Sequence, residues 1–252
     1  MAIELPVDLT PELVPLSWLL GRWEGYGMLG EGAADDQRFF QRVTFEQVGL
    51  PVVEYRAETW LADDEGQILR PIAVETGFWQ LERELTDSDG GPGLMPGDVV
   101  PALRNAEDVE KLRTERDGKD GFALNVTIAH PGGITEQYSG HIAGPQVFLE
   151  TSGVQRSKHA HPYDRATRIY GLVNEMLFWR WDIAGEAGEE LAPHGSAQLK
   201  RVVSGGRRRA ADTGAADTGG VDNGATSAGQ SDAGNDGPAG SEGPAGSDGA
   251  AE

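Results

Sequence analysis

The chain of 252 residues contains no cysteine. This absence excludes disulfides, thiolate catalysis, iron–sulfur clusters and zinc–thiolate sites. The sequence also has no apolar run long enough to cross a membrane, and its first residues lack the basic region and apolar stretch of a signal peptide. We therefore expect a cytoplasmic protein with no membrane partner.

Positive charge is scarce. Lysine and arginine number 21 against 41 aspartates and glutamates, which gives a formal net charge of −20. Binding to nucleic acid depends on basic residues that neutralise phosphates, so we expect no nucleic-acid partner.

Residues 205–252 contain no aromatic residue, leucine, isoleucine or methionine, and consist mainly of glycine, alanine, aspartate and serine. Such a segment cannot bury enough apolar surface to offset the loss of backbone entropy on folding. The sequence therefore predicts a disordered acidic tail at 205–252 and one folded domain at 10–204.

About ten short segments in the folded part alternate apolar and polar residues and are separated by Gly, Pro, Asp or Asn, which predicts antiparallel strands. Closure is favoured because a barrel has no exposed edge strand. We predict an all-β fold, a closed antiparallel up-and-down β-barrel of about ten strands with an internal cavity. A short N-terminal helix is predicted at Thr10 to Leu20, and residues 86–121 are predicted to form an insertion loop beside the barrel.

The stretch GRWEGYG, residues 21–27, places Gly21, Trp23, Gly25 and Gly27 on one face of the first strand. Glycine in a strand indicates a bend or the close approach of a ligand or of another backbone. Two interpretations stay open. Trp23 is either a core residue in a bent strand or part of a wall against which a ligand lies.

Among the five histidines, His194 begins the last predicted strand, in LAPHGSAQL. The last strand of a closed barrel pairs with the first, so His194 is expected near GRWEGYG, where it could hold a flat ligand through its metal. His159 and His161 form an HxH pair that could chelate a metal. His130 is predicted to cap a hairpin turn, and His141 to be exposed.

Together these segments resemble the nitrobindins, a family of small heme-binding β-barrels with lipocalin-like or fatty-acid-binding-protein-like architecture. GRWEGYG matches the GxWxGxG motif of the family. The segments RFFQRVTFEQVG, VVEYRAETW and ETGFW follow in the same order, as do an HPxGITE turn and a terminal PHxxAxL segment. The resemblance covers nearly all of residues 13–203.

The resemblance implies one heme b per chain, with His194 as the axial iron ligand. It places Thr44 near the heme, together with a loop position that falls at His161, where the family has a lysine that Lys158 could replace. With the motif residues, the predicted cofactor-binding set is Thr44, His161, His194, Gly21, Trp23, Gly25 and Gly27.

For function, the resemblance implies that peroxynitrite is isomerised to nitrate and that nitric oxide binds reversibly, with a homodimer left open. The alternative is a heme-free, non-enzymatic barrel that binds a lipid-like or other apolar small molecule. The environment of His194 distinguishes the two. A ring that faces the cavity favours heme, and a ring that lies outside the barrel favours the alternative.

Overall fold

The computed structural model describes residues 9–30, 36–89, 91 and 101–202. The tail predicted at 205–252 lies outside the described residues and stays a prediction. Within the described part of the chain, no helix is long and apolar enough to cross a membrane.

The described residues form eleven strands and two short helices. The strands are β1 (Gly21–Leu29), β2 (Gln37–Gln47), β3 (Val53–Ala62), β4 (Ile68–Leu81), β5 (Arg113–Arg116), β6 (Lys119–His130), β7 (Ile134–Ala143), β8 (Gln146–Arg156), β9 (Arg165–Val173), β10 (Met176–Ala184) and β11 (Ala192–Arg201). A 3-10 helix spans Pro11–Leu16, and the α-helix α1 spans Ala106–Glu110.

Ten of these strands form a closed antiparallel barrel. Neighbours in sequence pair with each other, β11 returns to pair with β1, and β4 pairs directly with β6. The short strand β5 pairs with the first residues of β6, from Lys119 to Phe122, beyond the point where β4 ends. The predicted ten-strand barrel is confirmed, and so is the pairing of its last strand with its first.

The segment predicted as an insertion loop contains regular structure in its described residues. It includes α1, β5 and the start of β6. The side chain of Asn105 caps α1 by accepting a hydrogen bond from the Asp108 N–H at 2.9 Å, and Val109 is buried in the core. Because α1 contacts the 3-10 helix, this part of the insertion extends the packed body of the protein.

The N-terminal helix is present but shorter than predicted. It is a 3-10 helix that ends at Leu16 and has Pro15 in its interior, a residue that has no N–H to donate. Leu13, Leu16 and Leu19 are fully buried. The segment therefore contributes to the core through its leucines.

Trp23 is a core residue. Its side chain is fully buried, and its indole Nε1–H donates a hydrogen bond of 2.7 Å to the carbonyl oxygen of Leu19. The guanidinium of Arg201 lies 4.2 Å from the centre of its ring. Gly21, which precedes it by two residues, has a φ of +115°, a conformation that favours glycine.

Gly25 and Gly27 allow β1 and β11 to approach closely. A Cβ atom at Gly25 would lie 2.1 Å from the carbonyl oxygen of Gln198. A Cβ atom at Gly27 would lie 2.3 Å from the ring of Phe39 and 2.3 Å from the carbonyl oxygen of Ser196. The glycines of the motif are thus required by backbone and side-chain packing at the join between the first and last strands.

A substitution of Gly25 by alanine is expected to destabilise the barrel by at least about 2 kcal/mol, because the backbone of β11 must move to admit the methyl group. The matched control is Gly153→Ala on β8, where nothing lies within 4 Å of the added Cβ. Urea unfolding of the two variants and the parent chain measures the difference. Equal midpoints for both variants would contradict the packing role of Gly25.

Candidate functional site

A cavity of about 80 Å³ lies inside the barrel. Side chains from β1 to β4 and from β9 to β11 line it. Part of the wall is apolar and aromatic, and part is polar. The lining includes Phe39, Gln41, Thr59, Trp179, Trp181 and His194.

His194 reaches the cavity through a β-bulge. The register between β10 and β11 shifts at Trp181 and Asp182, which makes His194 the extra residue of the bulge. Strict alternation from the buried Ala197 and Leu199 on β11 would place the His194 side chain on the outer face. A bulge redirects side chains in this way, and bulges are common beside active sites.

Trp181 is the aromatic neighbour of His194. The two ring centres are 4.9 Å apart, and the ring planes are nearly perpendicular, at 82°. The ring of His130 stacks on the same indole at 6.1 Å and 14°. The indole Nε1 of Trp181 is buried and has no hydrogen-bond partner among the described residues.

Behind Trp181 lies a buried cluster of charged side chains centred on Arg168. Its guanidinium donates two hydrogen bonds to Glu75, of 2.8 and 3.1 Å, and a third to Glu136 at 3.3 Å. It also donates to the hydroxyl of Tyr138 at 2.9 Å. His130 joins the cluster through a 2.6 Å hydrogen bond between its Nε2 and Glu136.

Both carboxylates of this cluster stay ionised because of their partners. Burial by itself raises the pKa of Glu75, but the charge and hydrogen bonds of Arg168 outweigh burial and hold that pKa at about 2. Burial acts in the same direction on Glu136, whose pKa is nevertheless lowered by the hydrogen bond from His130 and the charge of Arg168. The interior of the barrel therefore contains a paired guanidinium and two carboxylates.

Comparison with known proteins places the chain in a family. A model of the THAP4-like, heme-binding β-barrel domain matches residues 12–201. The chain belongs to this family. The predicted membership of a heme-binding β-barrel family is thereby confirmed.

Similar proteins from other organisms are named after an enzymatic activity. A protein named peroxynitrite isomerase from Renibacterium salmoninarum is 58% identical over 204 residues, which cover 81% of this chain and 95% of the relative. Its counterpart of the same name from Micrococcus luteus is 58% identical over 211 residues, covering 84% and 92%. The crystal structure of Rv2717c from M. tuberculosis superposes with a TM-score of 0.55 at 25% identity, covering 78% of this chain and all of that one.

The residues around His194 fit a heme in their donor chemistry. Histidine is a common axial ligand of heme iron, and Leu29, Phe39 and Trp179 give the cavity apolar walls. The buried N–H of Trp181 offers a donor to an oxygen atom of a bound group. The cavity volume of about 80 Å³ is smaller than a macrocycle, so loading requires lining side chains to move.

The structure places Thr44 away from the cavity of the THAP4-like barrel. Thr44 lies between the buried residues Val43 and Phe45 on β2, and strand alternation therefore directs its side chain to the outer face. The threonine that lines the cavity is Thr59 on β3. The role of Thr44 at the heme stays a prediction, and the proposed site uses Thr59 as the threonine of the cavity wall.

His161 is also separate from the lining residues. It is exposed in the connection between β8 and β9, as are Lys158 and His159. Of the motif residues, neither Gly21 nor the buried Trp23 lines the cavity, and the same is true of Gly25 and Gly27. Gly27 contributes indirectly, because the space beside it is filled by Phe39, whose side chain does line the cavity.

Gln41 and Thr59 are among the polar residues of the cavity wall that were not predicted. Gln41 on β2 donates a 3.1 Å hydrogen bond from Nε2 to Thr59 Oγ1, and its Oε1 accepts a 2.8 Å hydrogen bond from the indole of Trp179. Thr59 shares the inward face of β3 with Tyr55 and Ala57. That alternation is visible in the sequence and could have identified Thr59.

Two further histidines differ from the prediction. His130 does not cap the backbone of its turn through its ring, since its Nε2 is bonded to the Glu136 carboxylate. His141 was predicted to be exposed, but only 6% of it is accessible. The prediction for His141 is wrong because β5, in the segment expected to be a loop, covers it, with the Thr114 carbonyl oxygen 3.4 Å from its Nε2.

Proposed function

We propose that the chain binds one heme b through His194 and isomerises peroxynitrite to nitrate. The observation that carries this proposal is the β-bulge that turns His194 from the outer face of β11 to the cavity. Membership of the heme-binding family supports the cofactor. Relatives at 58% identity that are named peroxynitrite isomerase support the reaction.

When bound, the heme supplies a redox-active iron able to cleave a peroxide bond. His194 presents a ring nitrogen that must be neutral to bind the iron. Trp181, Trp179 and Phe39 line the cavity and would exclude bulk water from a group bound there.

Thr59 and Gln41 supply the polar contacts of the proposed site. Thr59 Oγ1 accepts a hydrogen bond from Gln41, so its own hydroxyl proton is directed elsewhere and can be donated to an anionic oxygen in the cavity. This arrangement orients an oxyanion such as peroxynitrite. Nitric oxide is a smaller diatomic ligand, and we propose that the same cavity would admit it to the heme.

The heme-free alternative receives no support from the cavity. An acyl chain requires a long apolar wall, whereas this cavity is lined in part by the Glu75–Arg168 ion pair. Displacement of a buried, paired charge by a lipid chain would be costly.

The homodimer, the cytoplasmic location and the absence of a nucleic-acid partner stay predictions.

The test is the decay of peroxynitrite in the presence of the chain loaded with hemin at one equivalent. We expect the decay rate constant to rise in proportion to the loaded protein, and the nitrate yield to rise with it. Apoprotein and free hemin at the same concentrations serve as controls. A decay rate no faster than that with free hemin, or a yield that shifts toward nitrite, would contradict the proposed activity.

A further inference from the structure

Three side chains stand in a row from the buried charged cluster to the proposed iron ligand. The Arg168 guanidinium carbon lies 4.2 Å from the centre of the Trp181 indole, and that indole lies 4.9 Å from the ring of His194. Trp181 is thus in contact with both, and it stands opposite the bulge that carries His194.

Arg168 is held in a fixed position. It is 4% exposed, and four hydrogen bonds connect its guanidinium to Glu75, Glu136 and Tyr138. The bidentate bonds to Glu75 fix the plane of the guanidinium as well as its place. Such a group presents a rigid cationic surface to an aromatic ring.

No hydrogen bond among the described residues holds the Trp181 side chain in the way that Arg168 is held. Its buried Nε1–H has no hydrogen-bond partner among the described residues, unlike Trp23 and Trp179, whose indoles donate to Leu19 and Gln41. The orientation of the Trp181 ring must therefore be set by its ring contacts. The Arg168 contact and the stacking of His130 at 14° define its plane, together with the tilted ring of Tyr163 at 6.4 Å.

We propose that Arg168 is a positioning residue for His194 and acts through Trp181. The Glu75 and Glu136 carboxylates fix Arg168, Arg168 fixes the indole plane, and the indole limits the orientations open to the His194 ring. This inference rests on the proposed function, since it takes His194 to be the iron ligand. Pre-organisation of the ligand would slow the loss of heme.

The test measures the rate at which hemin is lost from the loaded full-length chain to an excess of a heme scavenger. Arg168→Lys keeps the charge but loses the bidentate, planar contact, and we expect hemin loss to be roughly tenfold faster. Trp181→Leu removes the ring and should have a similar effect. Trp181→Phe keeps an aromatic ring at the position and should lose hemin more slowly than Trp181→Leu.

A double variant separates positioning from general destabilisation. If Arg168 acts through Trp181, Arg168→Lys should add little once Trp181 is leucine, so the effects on hemin loss should not multiply. The matched control is Arg83→Lys, since Arg83 is a partly buried arginine that is also paired with two carboxylates, Glu12 and Asp89. It should lower the urea midpoint without changing the hemin loss rate or the ferric absorption spectrum.

The outcomes distinguish this inference from the function on which it rests. If the parent chain fails to bind one equivalent of hemin, the proposed function itself fails, and the positioning role fails with it. Two results would overturn only the positioning role while the parent still binds hemin. In one, Arg168→Lys has the same hemin loss rate as Arg83→Lys. In the other, the fold-increases caused by Arg168→Lys and Trp181→Leu multiply fully in the double variant.

Discussion

Replacement of His194 by alanine is expected to lower the affinity for hemin by roughly two orders of magnitude or more, because the bond from the imidazole to the iron is lost. The fold should persist. His194 is only partly buried and lies at a bulge near the start of β11, so the change in unfolding free energy should stay within about 1 kcal/mol. Hemin titration followed by absorption, with urea unfolding of the apoprotein, measures both quantities.

Two controls make this result specific. His159→Ala removes an exposed imidazole in the connection between β8 and β9 and should leave hemin affinity unchanged. His194→Gly should recover a ferric heme spectrum when imidazole is added to the solution, since the free ring can occupy the vacated place. Tight, stoichiometric hemin binding by His194→Ala would contradict the assignment of the ligand.

The same titration on His161→Ala tests the other histidine that the resemblance associates with the heme. His161 is exposed and does not line the described cavity. We expect its removal to change hemin affinity by less than about threefold, the scale of an exposed side-chain substitution. A loss as large as that of His194→Ala would show that the connection between β8 and β9 contacts the heme in the loaded protein.

Acid is expected to destabilise the barrel through Glu75. The pKa of Glu75 is about 2 in the folded chain against an ordinary value of 4.5. A folded-state pKa below the unfolded one stabilises the fold above the unfolded pKa, and this contribution is lost as the pH falls from about 4.5 toward 2. The free energy of unfolding is expected to fall by about 3 kcal/mol. Glu136, whose pKa is also lowered, contributes a further loss in the same direction.

Urea unfolding at a series of pH values between 6 and about 2 measures this loss. Glu75→Gln cannot titrate, so its stability should already be lower near neutral pH and should fall less steeply in acid. Glu54→Gln, at an exposed position on β3, is the matched control and should follow the parent chain. A parent profile that is flat from pH 5 to 3, or parallel profiles for the parent and Glu75→Gln, would show that the ion pair does not couple folding to pH.

Alternating apolar and polar residues were sufficient to predict the barrel. Tyr55 and Ala57 on β3 face inward and Glu54 and Arg56 face outward, as the period of two requires. The same rule assigns Thr59 to the inner face and Thr44 to the outer face. The resemblance placed Thr44 near the heme by its strand alone, whereas the parity of its neighbours, Val43 and Phe45, directs its side chain outward.

The direction of His194 could not be read from alternation. A strand without the bulge would place its ring outside the barrel, and the bulge depends on the register between β10 and β11, which involves residues far apart in sequence. The flanking Pro193 and Gly195 indicate an irregular strand start but do not give its direction. Only the pairing of the two strands shows that the side chain turns inward.

The buried charged cluster was hidden for a different reason. Glu75, Glu136 and Arg168 are spread over three strands, and each one alone resembles an ordinary exposed residue of a β-sheet. Their burial is possible because closure of the barrel brings their charges within hydrogen-bond distance. A sequence pattern that is read one strand at a time cannot show that buried charges on different strands pair with each other.

The most direct measurement of the central claim is a crystal structure of the full chain loaded with hemin. The account predicts iron at bonding distance from a ring nitrogen of His194, with Trp181 still in contact with that ring and Arg168 still above the indole. Iron bound by another side chain, or a heme seated in the groove outside β1 and β11 beside Tyr26 and Phe178, would contradict it.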